Sequence, residues 1–192
     1  MGQRLNIEIT DGSNVLANAY YHWSAYTHDS AELLKLILSE RCITDDSTMS
    51  IFEKAIYLLE RTGAGFSSTE LDYIKNEDID LPLDLIKFAK DRNEGLIAIS
   101  TKGIKDTEYW EEGRLTVDIL NLKVDFNVVW APSDEEAEDY EKDGAKLSLL
   151  PYDIRDMSFR DAFAFIGFVE DMYDNSEFYI FRSGDTYYVP IE

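Results

Sequence analysis

Residues 4–9 set apolar Leu5, Ile7 and Ile9 against polar Arg4, Asn6 and Glu8, the two-residue period of a strand with one buried face. Asp11-Gly12 reads as a turn, and residues 15–21 resume an extended pattern, so the chain opens with a predicted β-hairpin. The period then changes. Leu33, Leu34, Ile37 and Leu38 recur at helical spacing behind Asp29 and Glu32, which resemble a capping box, and this helix should end near Arg41. A second helix is predicted over residues 48–61, with Ile51, Ala55, Leu58 and Leu59 inward and Gly63 as a left-handed stop. Ser67 with Glu70 suggests another helix start before Leu71 and Ile74. Pro82 suggests one more before Leu85, Ile86 and Ala89.

From Leu96 the strand period returns. Residues 96–100 form a short apolar strand, residues 101–112 a helical excursion closed by Gly113, and residues 115–130 a long strand-like stretch. In that stretch the apolar positions are odd up to Ile119 and even from Leu120 to Trp130, so a bulge or a tight turn must interrupt it at 119/120. Residues 147–150 read as a strand ending at Pro151. Ser158 and Asp161 start an apolar helix containing Phe163, Ile166, Phe168 and Val169, expected as the central buried helix. A hairpin closes the chain, with strands at 178–182 and 187–191 about Ser183-Gly184-Asp185. The predicted class is α+β: an antiparallel sheet built from the N- and C-terminal hairpins and a central strand region, packed with a helical middle segment. Residues 1–192 are read as a single domain, since no repeat or low-complexity linker divides them.

Composition adds one extreme quantity. With 45% apolar and 13% aromatic residues the chain carries enough to fold, yet 39 Asp and Glu against 18 Lys and Arg give a net charge of −21. Over half of the excess falls in residues 129–192. Such a field repels nucleic-acid phosphates and anionic lipid, and it attracts basic protein surfaces or cations. Direct nucleic-acid binding is therefore not expected. No stretch approaches the ~20 apolar residues of a membrane span, the first residues do not resemble a secretion signal, and Cys42 is the only cysteine. These features point to the cytoplasm. The oligomeric state stays open.

Candidate chemistry is sparse. His22 and His28 fall within the aromatic segment 20–29, which reads either as a pocket in which a histidine acts as base beside Asp29, or as a packed aromatic corner with Asp29 capping the helix. Cys42 as a nucleophile would need a histidine beside it, and Gly63-Ala64-Gly65 lacks the lysine of a phosphate-binding loop. Two histidines and one cysteine are too few for a closed zinc site, so no metal and no cofactor are expected.

The acidic stretches are the sharper feature. Asp134, Glu135, Glu136, Glu138, Asp139, Glu141 and Asp143 place seven acids and one base within ten residues, without the glycine and alternating ligands of a calcium loop. Glu170, Asp171, Asp174 and Glu177 extend the acidity. The run reads as a solvated surface or as carboxylates imitating DNA, which presents one phosphate charge per roughly 1.7 Å of axis.

The segments 1–9 and 16–27, with Gly95-Leu96-Ile97-Ala98-Ile99-Ser100 and Trp110-Glu111-Glu112-Gly113-Arg114, resemble acidic proteins encoded by bacteriophages of Gram-positive bacteria. The resemblance covers about half the chain and carries no active-site motif. It implies a setting: a non-catalytic inhibitor in the host bacterial cytoplasm that occupies a basic surface of a nucleic-acid-processing or antiviral defence protein. The alternatives are a small-molecule-binding protein or enzyme with its pocket near residues 20–29, and a phage structural or assembly protein.

Overall fold

The computed structural model describes residues 4–21, 24–44, 48–63, 98–100, 112–130, 146–172 and 178–191. The N-terminal hairpin pairs β1 (Leu5–Thr10) with β2 (Val15–Tyr21) from Leu5↔Tyr21 to Thr10↔Val15. Its turn is closed by Asp11, whose carboxylate accepts from the backbone N–H of Ser13 at 3.0 Å and of Asn14 at 2.7 Å. Gly12 follows at φ +83, and a Cβ there would lie 2.5 Å from the Asn121 amide, so glycine answers both the backbone angle and the close approach.

Four strands complete the larger sheet: β3 (Ala98–Ser100), β4 (Gly113–Asp118), β5 (Lys123–Asn127) and β8 (Met157–Ser158), in the order β3-β2-β1-β4-β5-β8. The phase switch at 119/120 is a tight turn between β4 and β5. There Asp118 accepts from the N–H of Leu120 and Asn121 at 3.0 and 2.9 Å, and Leu122 takes φ +55. Leu5, Ile7, Ile9, Ala17, Ala19, Tyr21, Leu115, Val117, Val124 and Phe126 turn one face of this sheet into the core. The three α-helices among the described residues cover that core: α1 (Thr27–Leu38), α2 (Ile51–Arg61) and α3 (Phe159–Met172). Helix α2 packs against β1 and β2, α3 against β5 and β8, and α1 touches both helices.

The smaller sheet has the order β6-β9-β10-β7, with β6 (Val129–Trp130), β7 (Lys146–Leu149), β9 (Ile180–Ser183) and β10 (Thr186–Ile191). Its inward residues Ile180, Tyr187 and Val189 belong to the same hydrophobic cluster as the larger sheet.

The α+β class and the dominance of antiparallel pairing are as the sequence predicts. Four details differ. The terminal hairpins occupy separate sheets, and two parallel pairs, β1 with β4 and β6 with β9, join distant parts of the chain. Helix α1 starts two residues before Asp29, with Tyr26 at its N-cap and no side-chain cap, so Asp29 and Glu32 form no capping box. The capping box lies instead on α2, where Ser50 and Glu53 satisfy each other's backbone N–H groups at 3.3 and 2.7 Å. Helix α3 is one-sided rather than central: Ala162, Phe165, Ile166 and Val169 are buried, while Phe163 and Met172 are exposed. The helices expected from Ser67 and Pro82 and the excursion at 101–111 fall outside the described residues.

Candidate functional site

The strands that flank the acidic run can be placed. The run follows β6 and precedes β7, the two edge strands of the smaller sheet, so it connects opposite edges. Asp134, Glu135, Glu136, Glu138, Asp139, Glu141 and Asp143 themselves lie outside the described residues, as do Asp174 and Glu177. Glu170 and Asp171 stand on the last turn of α3. Glu170 accepts a hydrogen bond from the Lys35 ammonium at 2.6 Å, tying α3 to α1, whereas Asp171 is exposed.

Five of the described cations are matched by the chain's own acids. Lys35 pairs with Glu170, Arg61 with Glu40, Lys123 with Asp156 and Arg155 with Asp153, at 2.6 to 3.7 Å, and Arg114 reaches Glu8 at 4.0 Å. The polar face of the larger sheet concentrates several of these groups. Asp125 on β5 lies there near Arg155 and Arg114, and near the acids Asp156 and Asp153. Desolvation pushes its carboxyl above the ordinary range, the two arginines oppose that, and the neighbouring acids add to it.

His28 and Cys42 do not converge. His28 sits on the first turn of α1 and Cys42 in the short 3₁₀ turn Arg41–Ile43 beyond its other end. Twelve helical residues separate the two ends by roughly 18 Å at 1.5 Å per residue. His28 therefore cannot activate the Cys42 thiol. His22 lies outside the described residues. Donor atoms of His28, Asp29 and Glu32 come within 4.8 Å of one another on one turn of α1, at the end whose helix dipole disfavours a cation.

The corner at residues 20–29 is aromatic, and its partners come from the far end of the chain. The Tyr26 and Tyr179 ring centroids are 5.3 Å apart, Trp130 lies 6.3 Å from Tyr179 and 5.3 Å from Phe181, and all these pairs are tilted. One backbone and one side-chain bond hold the arrangement: Thr27 N–H donates to the Phe178 carbonyl at 3.2 Å, and Ile180 N–H donates to the Thr27 hydroxyl at 3.1 Å. Tyr26, Trp130, Tyr179 and Phe181 thus form one chain of ring contacts at this corner.

A second feature was not anticipated from the sequence. A groove of about 400 Å³ opens where β7 leaves the smaller sheet, lined by Leu149, Tyr152, Asp153, Arg155, Asp185 and Tyr187 among others. The Arg155 guanidinium lies 5.5 Å above the Tyr187 ring while its Asp153 partner stands at 3.7 Å. The only sequence signals for it are Pro151, which ends β7, and the Ser183-Gly184-Asp185 turn, which are far apart in the chain.

Comparison of the chain with protein-family models, curated proteins and solved structures finds no match.

Proposed function

We propose that this protein is a non-catalytic, phage-type inhibitor that binds a basic surface of a bacterial nucleic-acid-processing or antiviral defence protein in the host cytoplasm, its carboxylates standing in for nucleic-acid phosphates. The observation that carries the reading is the net charge of −21, together with the pairing of Lys35, Arg61, Arg114, Lys123 and Arg155 to the chain's own acids. Cations matched in this way contribute little to the long-range field, which the excess of carboxylates dominates. The proposed contact residues are Asp134, Glu135, Glu136, Glu138, Asp139, Glu141 and Asp143, together with Asp171 and Asp174. Glu170 contributes less, because Lys35 neutralises it. The separation of His28 from Cys42 favours binding over covalent chemistry. Among the described residues no helix is long and apolar enough to cross a membrane.

Affinity capture from bacterial lysate at low salt tests the reading. A basic nucleic-acid-binding protein should be retained, and its affinity should fall steeply as salt rises past ~0.15 M, where the screening length is ~8 Å. Changing Asp134, Glu135, Glu136, Glu138 and Asp139 to Asn and Gln should slow association and flatten that salt dependence. Removal of equal charge from residues 70–94 should matter less. Unchanged binding by both variants, or capture indifferent to salt, would rule out phosphate mimicry.

A further inference from the structure

Helix α3 turns an unusual face to solvent. Ala162, Phe165, Ile166 and Val169 define its buried side, and at about 100° per residue the line opposite them runs through Arg160, Ala164, Gly167 and Asp171, with Phe163 on its flank. Arg160, Phe163, Ala164 and Asp171 are exposed, Phe163 at 43%. The outward line of an amphipathic helix is ordinarily its most polar, yet the middle of this one carries no polar side chain. Glycine inside a helix costs stability relative to alanine, and a Cβ at Gly167 would meet nothing within 4 Å among the described residues. Packing within the fold therefore gives no reason for it, whereas a bulky group arriving from outside would.

The charges at the two ends specify that group. Arg160 in the first turn and Asp171 in the last both oppose the dipole of α3, so neither serves the helix alone. They lie about 16 Å apart along the axis and are equidistant from the point midway between Ala164 and Gly167. A two-fold axis through that point sets a second α3 antiparallel to the first. Arg160 then faces Asp171 of the second copy at both ends, and each charge lies at the end of the other helix whose dipole favours it. Each Phe163 falls beside the open position at the other copy's Gly167. The remaining charges of α3 leave this pattern intact: Glu170 is paired with Lys35, and Asp161, on the other flank, accepts from the Ser158 hydroxyl at 2.6 Å.

We infer that α3 is a self-association face, on which two copies of the chain dock as an antiparallel helix pair about a two-fold axis between Ala164 and Gly167. The inference is independent of the proposed basic partner, except that Asp171 then pairs with the second copy instead. A net −21 on each copy opposes association, so the dimer tightens as salt screens the repulsion, opposite to the salt dependence of a basic partner.

Sedimentation equilibrium of the full chain tests it. At ~0.15 M salt dimer should form over roughly 10 to 500 μM, the range of a short transient interface, and ~0.5 M salt should shift the transition to lower concentration. Gly167→Leu fills the contact. Its site is open in the single chain, so the melting temperature should not fall while dimer affinity drops at least about tenfold. Arg160→Asp and Asp171→Arg should each weaken the dimer about fivefold by setting like charges opposite one another, the second although it lowers the net negative charge. Both changes suit the helix dipole, so the loss cannot be unfolding. The double variant only exchanges the two ends and should recover most of the wild-type affinity. A chain that stays monomeric to ~1 mM at either salt, or a dimer that Gly167→Leu leaves intact, overturns the self-association face. Failure of the double variant to recover overturns the antiparallel pairing.

Discussion

At the scale of single residues, Tyr21 and Thr62 join β2 to the end of α2 through two fully buried hydroxyls in hydrogen-bond contact. The Thr62 hydroxyl also donates to the Leu59 carbonyl at 2.6 Å, which commits its one proton, so Tyr21 is the donor between them. Tyr21→Phe should cost about 1 kcal/mol, since it deletes a donor and leaves Thr62 bonded. Thr62→Val should cost more, about 1–3 kcal/mol, because it removes both the contact to the Tyr21 hydroxyl and the bond to the Leu59 carbonyl. Urea unfolding of the two variants checks the order, and the reverse order would mean the proton lies the other way. Asp125 gives a second prediction. Its folded-state pKa is raised, so the native state holds its proton more tightly than the unfolded chain does, and ionisation costs stability as pH rises through that window. Asp125→Asn should therefore stabilise the protein at pH 7 by about 0.5 kcal/mol, discounted for its solvent access, and the gain should vanish below the ordinary carboxylate range. Melting curves at pH 3 and 7 decide it.

At the scale of elements, the start of α1 is held by tertiary contact where local capping is absent. Tyr26 caps nothing through its side chain, but Thr27 bonds Phe178 through its N–H and Ile180 through its hydroxyl. Thr27→Val preserves shape and removes the acceptor of a buried N–H, at a cost of about 1–3 kcal/mol, whereas Thr27→Ser should recover most of it. Equal stability of the two variants in chemical denaturation would show that Ile180 finds another acceptor. The elements that periodicity locates best are those with both a pattern and a stop. The hairpin at Asp11-Gly12, α2 between Ser50 and Gly63, and the turn at Asp118 are of this kind. The sequence misplaces the start of α1 because Asp29 and Glu32 match a local capping pattern, while the actual constraint comes from residues about 150 positions away.

At the scale of the whole molecule, charge should govern how solution conditions act on the protein. The ion pairs of the described surface are mostly solvent-accessible and individually weak, while a net −21 opposes compaction. Added salt screens both, and the repulsion outweighs the pairs. The melting temperature at pH 7 should therefore rise by several degrees between ~10 mM and ~0.15 M salt. A fall over that range would show that the ion pairs dominate instead.

The local order of polar and apolar residues determined the α+β class, the hairpins at both ends, α2 with its stop, and the strand-turn-strand at 113–127, because each depends on side-chain period and turn chemistry within a few residues. Net charge was likewise readable by counting. Only the tertiary structure divided the strands into two sheets, since the parallel pairs β1 with β4 and β6 with β9 join segments separated by about 50 to 110 residues. It also turned α3 to the surface: the residues that cover Phe165 and leave Phe163 exposed belong to other elements. The same is true of the sites. Acids near one another in sequence mark where charge is concentrated along the chain, but the pairing of Glu170 with Lys35 follows from where α1 and α3 were placed beside each other.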